Sequence, residues 1–273
     1  FEARIWIGQL TESDFFDNND TIDKTLLNGF NISFTPSFWK NFTIGATKVC
    51  LTKWGNNFWK YINPFYDDND INGIGEDQKA SIYATVLFPS VGFEIYGEIG
   101  IDDYAWDKFS AMKHTMIYSV GAKKSFNISD KCKALLIFEW NDFEMSQDFQ
   151  LQWNYMGYYG HHQVKEGYTQ KGQMLAGAYS YFGDSQLLKF QLFFPKSSHS
   201  IFVHRFCPDM NYIYNMAVNN SASGGALENL HGIYQTYITI GITNTIILQK
   251  SLLLQFEYDF VFIDHNLFEE RKN

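Results

Sequence analysis

Two stretches of the chain alternate with a period of two residues, and that alternation constrains the fold more than anything else in the sequence. In Val91–Asp102 the odd positions are Val91, Phe93, Ile95, Gly97, Ile99 and Ile101, while the even ones include Glu94, Glu98 and Asp102. In Leu252–Phe262, Leu252, Leu254, Phe256, Tyr258, Phe260 and Phe262 oppose Gln255, Glu257 and Asp259. Successive strand side chains point to opposite faces, so each stretch reads as a β-strand with one apolar and one acidic face. Shorter runs agree: Phe30, Ile32 and Phe34 oppose Asn31 and Ser33, and Leu188, Phe190, Leu192 and Phe194 oppose Lys189 and Gln191. Ala134, Leu136, Phe138 and Trp140 likewise face away from Lys133 and Glu139. No segment shows convincing helical periodicity, although Trp54–Ile62 and Met210–Met216 could each form a short helix within a loop.

The pattern predicts strands at roughly 3–9, 29–36, 42–50, 79–88, 91–102, 115–126, 132–142, 186–194, 198–206, 231–243 and 246–263. Tight links at 37–41, 89–90, 127–131, 195–197 and 244–245 alternate with long ones at 10–28, 51–78, 103–114, 143–185 and 207–230. An antiparallel meander with short turns at one end and long loops at the other is how outer-membrane barrels are built. Segment 143–185 reads as a long outer-face segment, with room for a further hairpin pairing Leu151–Tyr159 with Gly172–Phe182. Either count is odd, and bacterial single-chain barrels have even counts, so a single barrel domain spanning 1–273 is expected to be incomplete in this chain.

Composition decides which way the strands face. Aromatic residues make up 18% of the 273, charged residues 19%, and the formal charge is −9. A charge on the lipid side of a barrel costs roughly 2–4 kcal/mol near the midplane, so the acidic rows should line a wet interior. Glu94, Glu98, Asp102, Glu139, Gln255 and Glu257 are the expected lumen-lining set. The competing fold is a water-soluble β-sandwich with the apolar face as its core. Disorder is excluded by the aromatic content. Nucleic acid is disfavoured as a partner by the sign of the charge and by arginines only at 4, 205 and 271.

Cys50, Cys132 and Cys207 are an odd number without a CxxC, so neither a disulfide framework nor a zinc site follows. His161 and His162 are adjacent and, on a strand, would point to opposite faces; no HExxH spacing is present. No metal or cofactor is expected. Glu94 and Glu98 lie roughly 13 Å apart along one strand, too far for a glycosidase pair, whereas Glu98 with Glu139 or Glu257 across strands stays open.

The stretch Trp153–Gln186 is rich in groups that suit a polysaccharide. Aromatic rings match sugar C–H faces, and side chains that both donate and accept match hydroxyls. Within it, the Tyr-Tyr-x-His-His run at 158–162, the Gly-Tyr-Thr-x-x-Gly-Gln stretch at 167–173, and Gly183-Asp184-Ser185-Gln186 resemble the Wzi family of capsule-assembly outer-membrane proteins. Tyr96-Gly97-Glu98 and Phe138-Glu139-Trp140 fit that family's strands as well. The resemblance implies a barrel of about 18 strands in the outer membrane of a Gram-negative bacterium. It also implies a non-enzymatic, lectin-like role: attaching capsular polysaccharide to the cell surface, with outer-membrane lipid and the capsule export machinery as further partners. The sugar-binding residues it points to are Trp153, Tyr158, Tyr159, His161, His162, Tyr168, Gln170, Gln173, Asp184 and Gln186. A general porin, or a soluble β-rich carbohydrate hydrolase, is the alternative.

Overall fold

A computed structural model describes residues 1–16, 23–55, 76–102, 114–144, 146, 157–160, 164, 166–175, 183–208, 235–250 and 252–265. The two short helices considered for Trp54–Ile62 and Met210–Met216 fall largely or wholly outside these residues.

The alternating segments form β1 (Glu2–Thr11), β2 (Lys24–Phe34), β3 (Phe42–Lys53), β4 (Glu76–Phe88), β5 (Phe93–Asp102), β6 (Ile117–Ser129) and β7 (Cys132–Asp142). After a two-residue-strand hairpin, β8 (Thr169–Gln170) and β9 (Gln173–Met174), come β10 (Asp184–Phe194), β11 (Ser197–Cys207), β12 (Thr236–Gln249) and β13 (Leu252–Asp264). The eleven long strands make one antiparallel meander in the order β1-β2-β3-β4-β5-β6-β7-β10-β11-β12-β13, and β8 and β9 pair separately. Long and short connections alternate as expected, so all short turns lie at one end of the sheet. Among the described residues β1 and β13 each pair with a single neighbour, and the sheet is open between them.

One boundary moves. The last hairpin turns after Gln249 rather than at Asn244-Thr245, which pair with His199 and Ser198 inside the ladder. Thr243, Thr245, Ile246 and Ile247 are β-branched and fit a pleated surface, which outweighs a lone Asn as a turn signal.

The register shows which residues share a face, because directly opposed residues do. One row runs Phe34–Ile44–Ala84–Gly97–Val120–Trp140–Gln186–Arg205–Ile238–Phe262. The adjacent row, Ser33–Gly45–Tyr83–Glu98–Ser119–Asn141–Ser185–Phe206–Tyr237, belongs to the other face. The first face is apolar and open: Ile82, Ile99, Phe138, Leu188, Ile201, Ile240 and Phe256 are all exposed, Ile99 to 46% and Ile201 to 49%. Meanwhile Asp77, Lys79, Asp102, Ser185, Ser200 and His204, all on the second face, are buried. A sandwich would have reversed those two columns.

The apolar face also carries polar side chains toward the long-loop ends of the strands, Asp184, Gln186 and Arg205 among them. At the long-loop ends of β2–β4 it carries Asn28, Lys48, Thr52 and Gln78, of which Asn28, Thr52 and Gln78 are buried. The described apolar cores lie on the other side, where Leu10, Leu51, Val164 and Tyr168 form one cluster and Ile117, Phe143 and Tyr158 another. Both clusters join the polar face to residues among 157–160, 164 and 166–175, together called the strap here.

Candidate functional site

The strap begins with two tight turns and ends in the β8–β9 hairpin. Lys171 and Gly172 connect that hairpin with φ of 51° and 76°, the pair of positive angles that a type I′ turn requires. Thr11 N–H donates to Gln170 Oε1 at 2.8 Å, and Lys171 N–H donates to the Thr11 carbonyl at 2.7 Å. Ser13 N–H donates to Glu166 Oε1 at 3.1 Å. The strap is thereby tied to the end of β1.

Its rings form a continuous wedge. Tyr159 meets Tyr158 edge-on at 5.0 Å and Tyr168 at 5.8 Å, and stacks on Phe143 at 5.9 Å. Tyr158 and Tyr168 are only 4% and 5% exposed. Burying each such side chain contributes on the order of 1.5–3 kcal/mol. Their hydroxyls reach strand carbonyls: Tyr158 Oη lies 3.5 Å from the Ile101 oxygen and Tyr168 Oη 3.4 Å from that of Asp77.

Beneath the wedge sits a buried ion cluster. Lys79 Nζ donates to Asp77 Oδ1 at 2.7 Å and to Asp102 Oδ1 at 3.0 Å. The same ammonium lies 4.9 Å from the Tyr158 ring centroid and 5.1 Å from that of Tyr168, so two π-faces cap the cation. Burial pushes the phenols of both tyrosines above their ordinary range, Tyr168 most plainly, with the aspartates adding to the shift. Both rings are therefore neutral at physiological pH.

Further along the same face, Tyr96 Oη donates to Glu139 Oε2 at 3.1 Å, and Lys123 pairs with Glu94 at 3.1 Å while lying 4.8 Å from the Tyr96 ring. Tyr83 and Asn31 bond through their side chains, and Ser119 donates to Asn141 at 2.5 Å. Four rings occupy the space beside glycines directly opposite them: Trp6 at Gly29, Tyr83 at Gly45, Tyr96 at Gly121 and Phe202 at Gly241. At Gly29 a Cβ would come within 2.5 Å of Trp6 Cζ2, so only glycine lets that ring settle on the backbone. Between this face and the strap is a cavity of about 280 Å³, lined among others by Trp6, Thr47, Lys79, Glu98, Tyr159 and Tyr168.

The structure divides the expected sugar-binding set. Tyr158, Tyr159, Tyr168, Gln170 and Gln173 lie together on the strap. Tyr158 and Tyr168 act there as buried wedges, and the Gln170 amide oxygen is occupied by Thr11. Gln173 is exposed. Asp184 and Gln186 stand on the opposite, apolar face, where Arg205 donates to Asp184 Oδ2 at 2.8 Å and to Gln186 Oε1 at 2.7 Å. Trp153, His161 and His162 lie outside the described residues.

Glu94, Glu98, Asp102, Glu139, Gln255 and Glu257 all share the polar face by register, Asp102 within the ion cluster. The residues that sequence reasoning missed are Asp77, Lys79 and Trp6. The cysteines are free and buried, and no metal-ligating group of three occurs among the described residues. No helix among them is long and apolar enough to cross a membrane.

No protein-family model matches the chain, and no curated protein matches it.

Proposed function

We propose that this chain is part of an outer-membrane β-barrel that holds polysaccharide at the cell surface without processing it, in the manner of the capsule-assembly proteins it resembles. The observation that carries the reading is the inverted layering of the sheet: an exposed apolar face backed by a face that carries the charges and hydroxyls, with Asp77, Lys79 and Asp102 buried. Such a sheet is at a disadvantage in water and suits lipid outside with water inside.

Dimensions support it. The strands are 10–14 residues long, against the 9–11 that a tilted transmembrane strand needs. From Leu254 to Phe262 the apolar row of β13 rises about 20 Å along the membrane normal at a tilt near 40°, close to the roughly 25 Å band of such barrels. Closure would require strands beyond β1 and β13 or direct pairing between them.

A general porin is the competing barrel. The strap disfavours it, since Tyr158 and Tyr168 are wedged onto the polar face where a pore would need open water. The hydrolase reading loses one of its carboxylates to a partner, since Glu139 accepts a hydrogen bond from Tyr96.

The test is made on cells that produce capsule. Loss of the protein should release capsular polymer into the medium, and the purified protein in planar bilayers should show little conductance. Retention of polymer without the protein, or ohmic conductance with no affinity for polymer, would refute the reading.

A further inference from the structure

We propose that the cavity between the strap and the polar face is a subsite for one or two non-acidic pyranose units. The inference rests on the proposed function only for the source of the ligand, a chain end or segment of the surface polysaccharide. Its volume of about 280 Å³ is at the small end of ligand pockets and suits a mono- or disaccharide.

The lining sets the chemistry. Trp6 covers Gly29 with its indole ring and also lines the cavity. A flat indole face is what the C–H face of a pyranose packs against. Thr47, Ser81 and Ser119 add hydroxyls, which serve as donor or acceptor as a sugar hydroxyl demands.

Charge then selects the sugar. Lys79, the cation among the described lining residues, is already held by Asp77 and Asp102. Glu98 reaches the same cavity, is exposed within it, and has no hydrogen bond or ion pair among the described residues. The balance of Lys79 against Asp77, Asp102 and Glu98 is negative. A uronate would meet repulsion there, whereas hydroxyls, and above all the ammonium of an amino sugar, would find an acceptor in Glu98.

The experiment uses the whole chain refolded in a detergent without a sugar headgroup, followed by NMR of the tryptophan indole signals. Three disaccharide probes are titrated: diglucosamine, cellobiose and digalacturonate. The expected order of affinity is diglucosamine, then cellobiose, with digalacturonate weaker by tenfold or more. Glu98→Gln, which disturbs no existing partner, should remove about tenfold from the diglucosamine preference, the difference between a charged and a neutral acceptor. Trp6→Ala should weaken diglucosamine and cellobiose alike.

Digalacturonate binding as well as cellobiose, or indifference to both substitutions, overturns the subsite. If no disaccharide binds while the same preparation retains capsular polymer, the subsite is refuted and the proposed function stands. If neither disaccharides nor polymer bind, both fall.

Discussion

Replacing Lys79 by Met tests how the strap is held. The ammonium is 2.7 and 3.0 Å from two carboxylates, and its side chain is 6% exposed. Methionine keeps most of the stem but takes the ammonium away from Asp77 and Asp102. Breaking a buried ion pair from one side costs about 3–5 kcal/mol, because the remaining charge stays desolvated. The carboxylates recover water if the strap lifts, so the cost should appear as strap opening rather than loss of the strand ladder. At 1.4 kcal/mol per decade, opening becomes about 10²–10⁴ times more favourable. Amide hydrogen exchange reads this at Lys171 and Ser13, whose N–H groups bond across the join to the Thr11 carbonyl and to Glu166 Oε1. Adding Asp77→Asn and Asp102→Asn to the same chain should restore most of the protection, since amides need no counter-ion. Protection in Lys79→Met within threefold of the parent, or a triple variant less protected than the single one, would show that the ion cluster does not seat the strap.

Other perturbations probe the remaining parts of the account. Ile242→Lys, on the apolar face, should destabilise the barrel in lipid by about 2–4 kcal/mol, whereas Thr243→Lys, opposite Glu257 on the polar face, should cost under about 1 kcal/mol; urea titration in vesicles compares them. Gly241→Val would drive a side chain into the Phe202 ring and Asp259, costing about 1–3 kcal/mol in the same titration, and Phe202→Ala in the same chain should recover part of it. For Tyr158 and Tyr168 the folded phenol pKa is raised, so the strap's stability is complete below the ordinary phenol value of about 10 and falls as pH climbs through the raised values. Protease sensitivity of the strap should therefore increase above pH ~10 in the parent. The Tyr158→Phe, Tyr168→Phe double variant should show a smaller alkaline increase, the remainder coming from loss of the Lys79 charge.

The alternation that made the strands legible is a local property, because Phe93 to Asp102 show their two faces without reference to any neighbour. The same parity holds information that was easy to pass over. Asp184 and Gln186 are even-numbered, as are Leu188, Phe190 and Phe194, so their place on the apolar face follows from counting along β10. Grouping them with the strap followed the linear motif instead. The strap's seat was harder to see. Asp77 lies before the strand start expected at 79, and Lys79 belongs to no clean alternation. Their union with Asp102 and with Tyr158 and Tyr168 joins groups separated by up to 91 residues. A trace of the seat does exist: Leu27, Val49 and Leu51 break the polar side of β2 and β3, where the strap covers them. Burial of the tyrosines left no local signature, since a tyrosine suits a sugar platform and an interior wedge equally well.

The central claim is the inverted layering, and a spin-label scan of β12 tests it most directly. Nitroxides placed one at a time from Ile238 to Ile246 in the protein reconstituted in lipid report collision with oxygen, which concentrates in acyl chains, and with a water-soluble nickel chelate. The account predicts that even positions, Ile238, Ile240, Ile242, Asn244 and Ile246, favour oxygen, while odd positions favour nickel, the two profiles running out of phase with period two. Even positions shielded from both reagents, as in a dry protein core, or a nickel profile that peaks at Ile240 and Ile242, would contradict it.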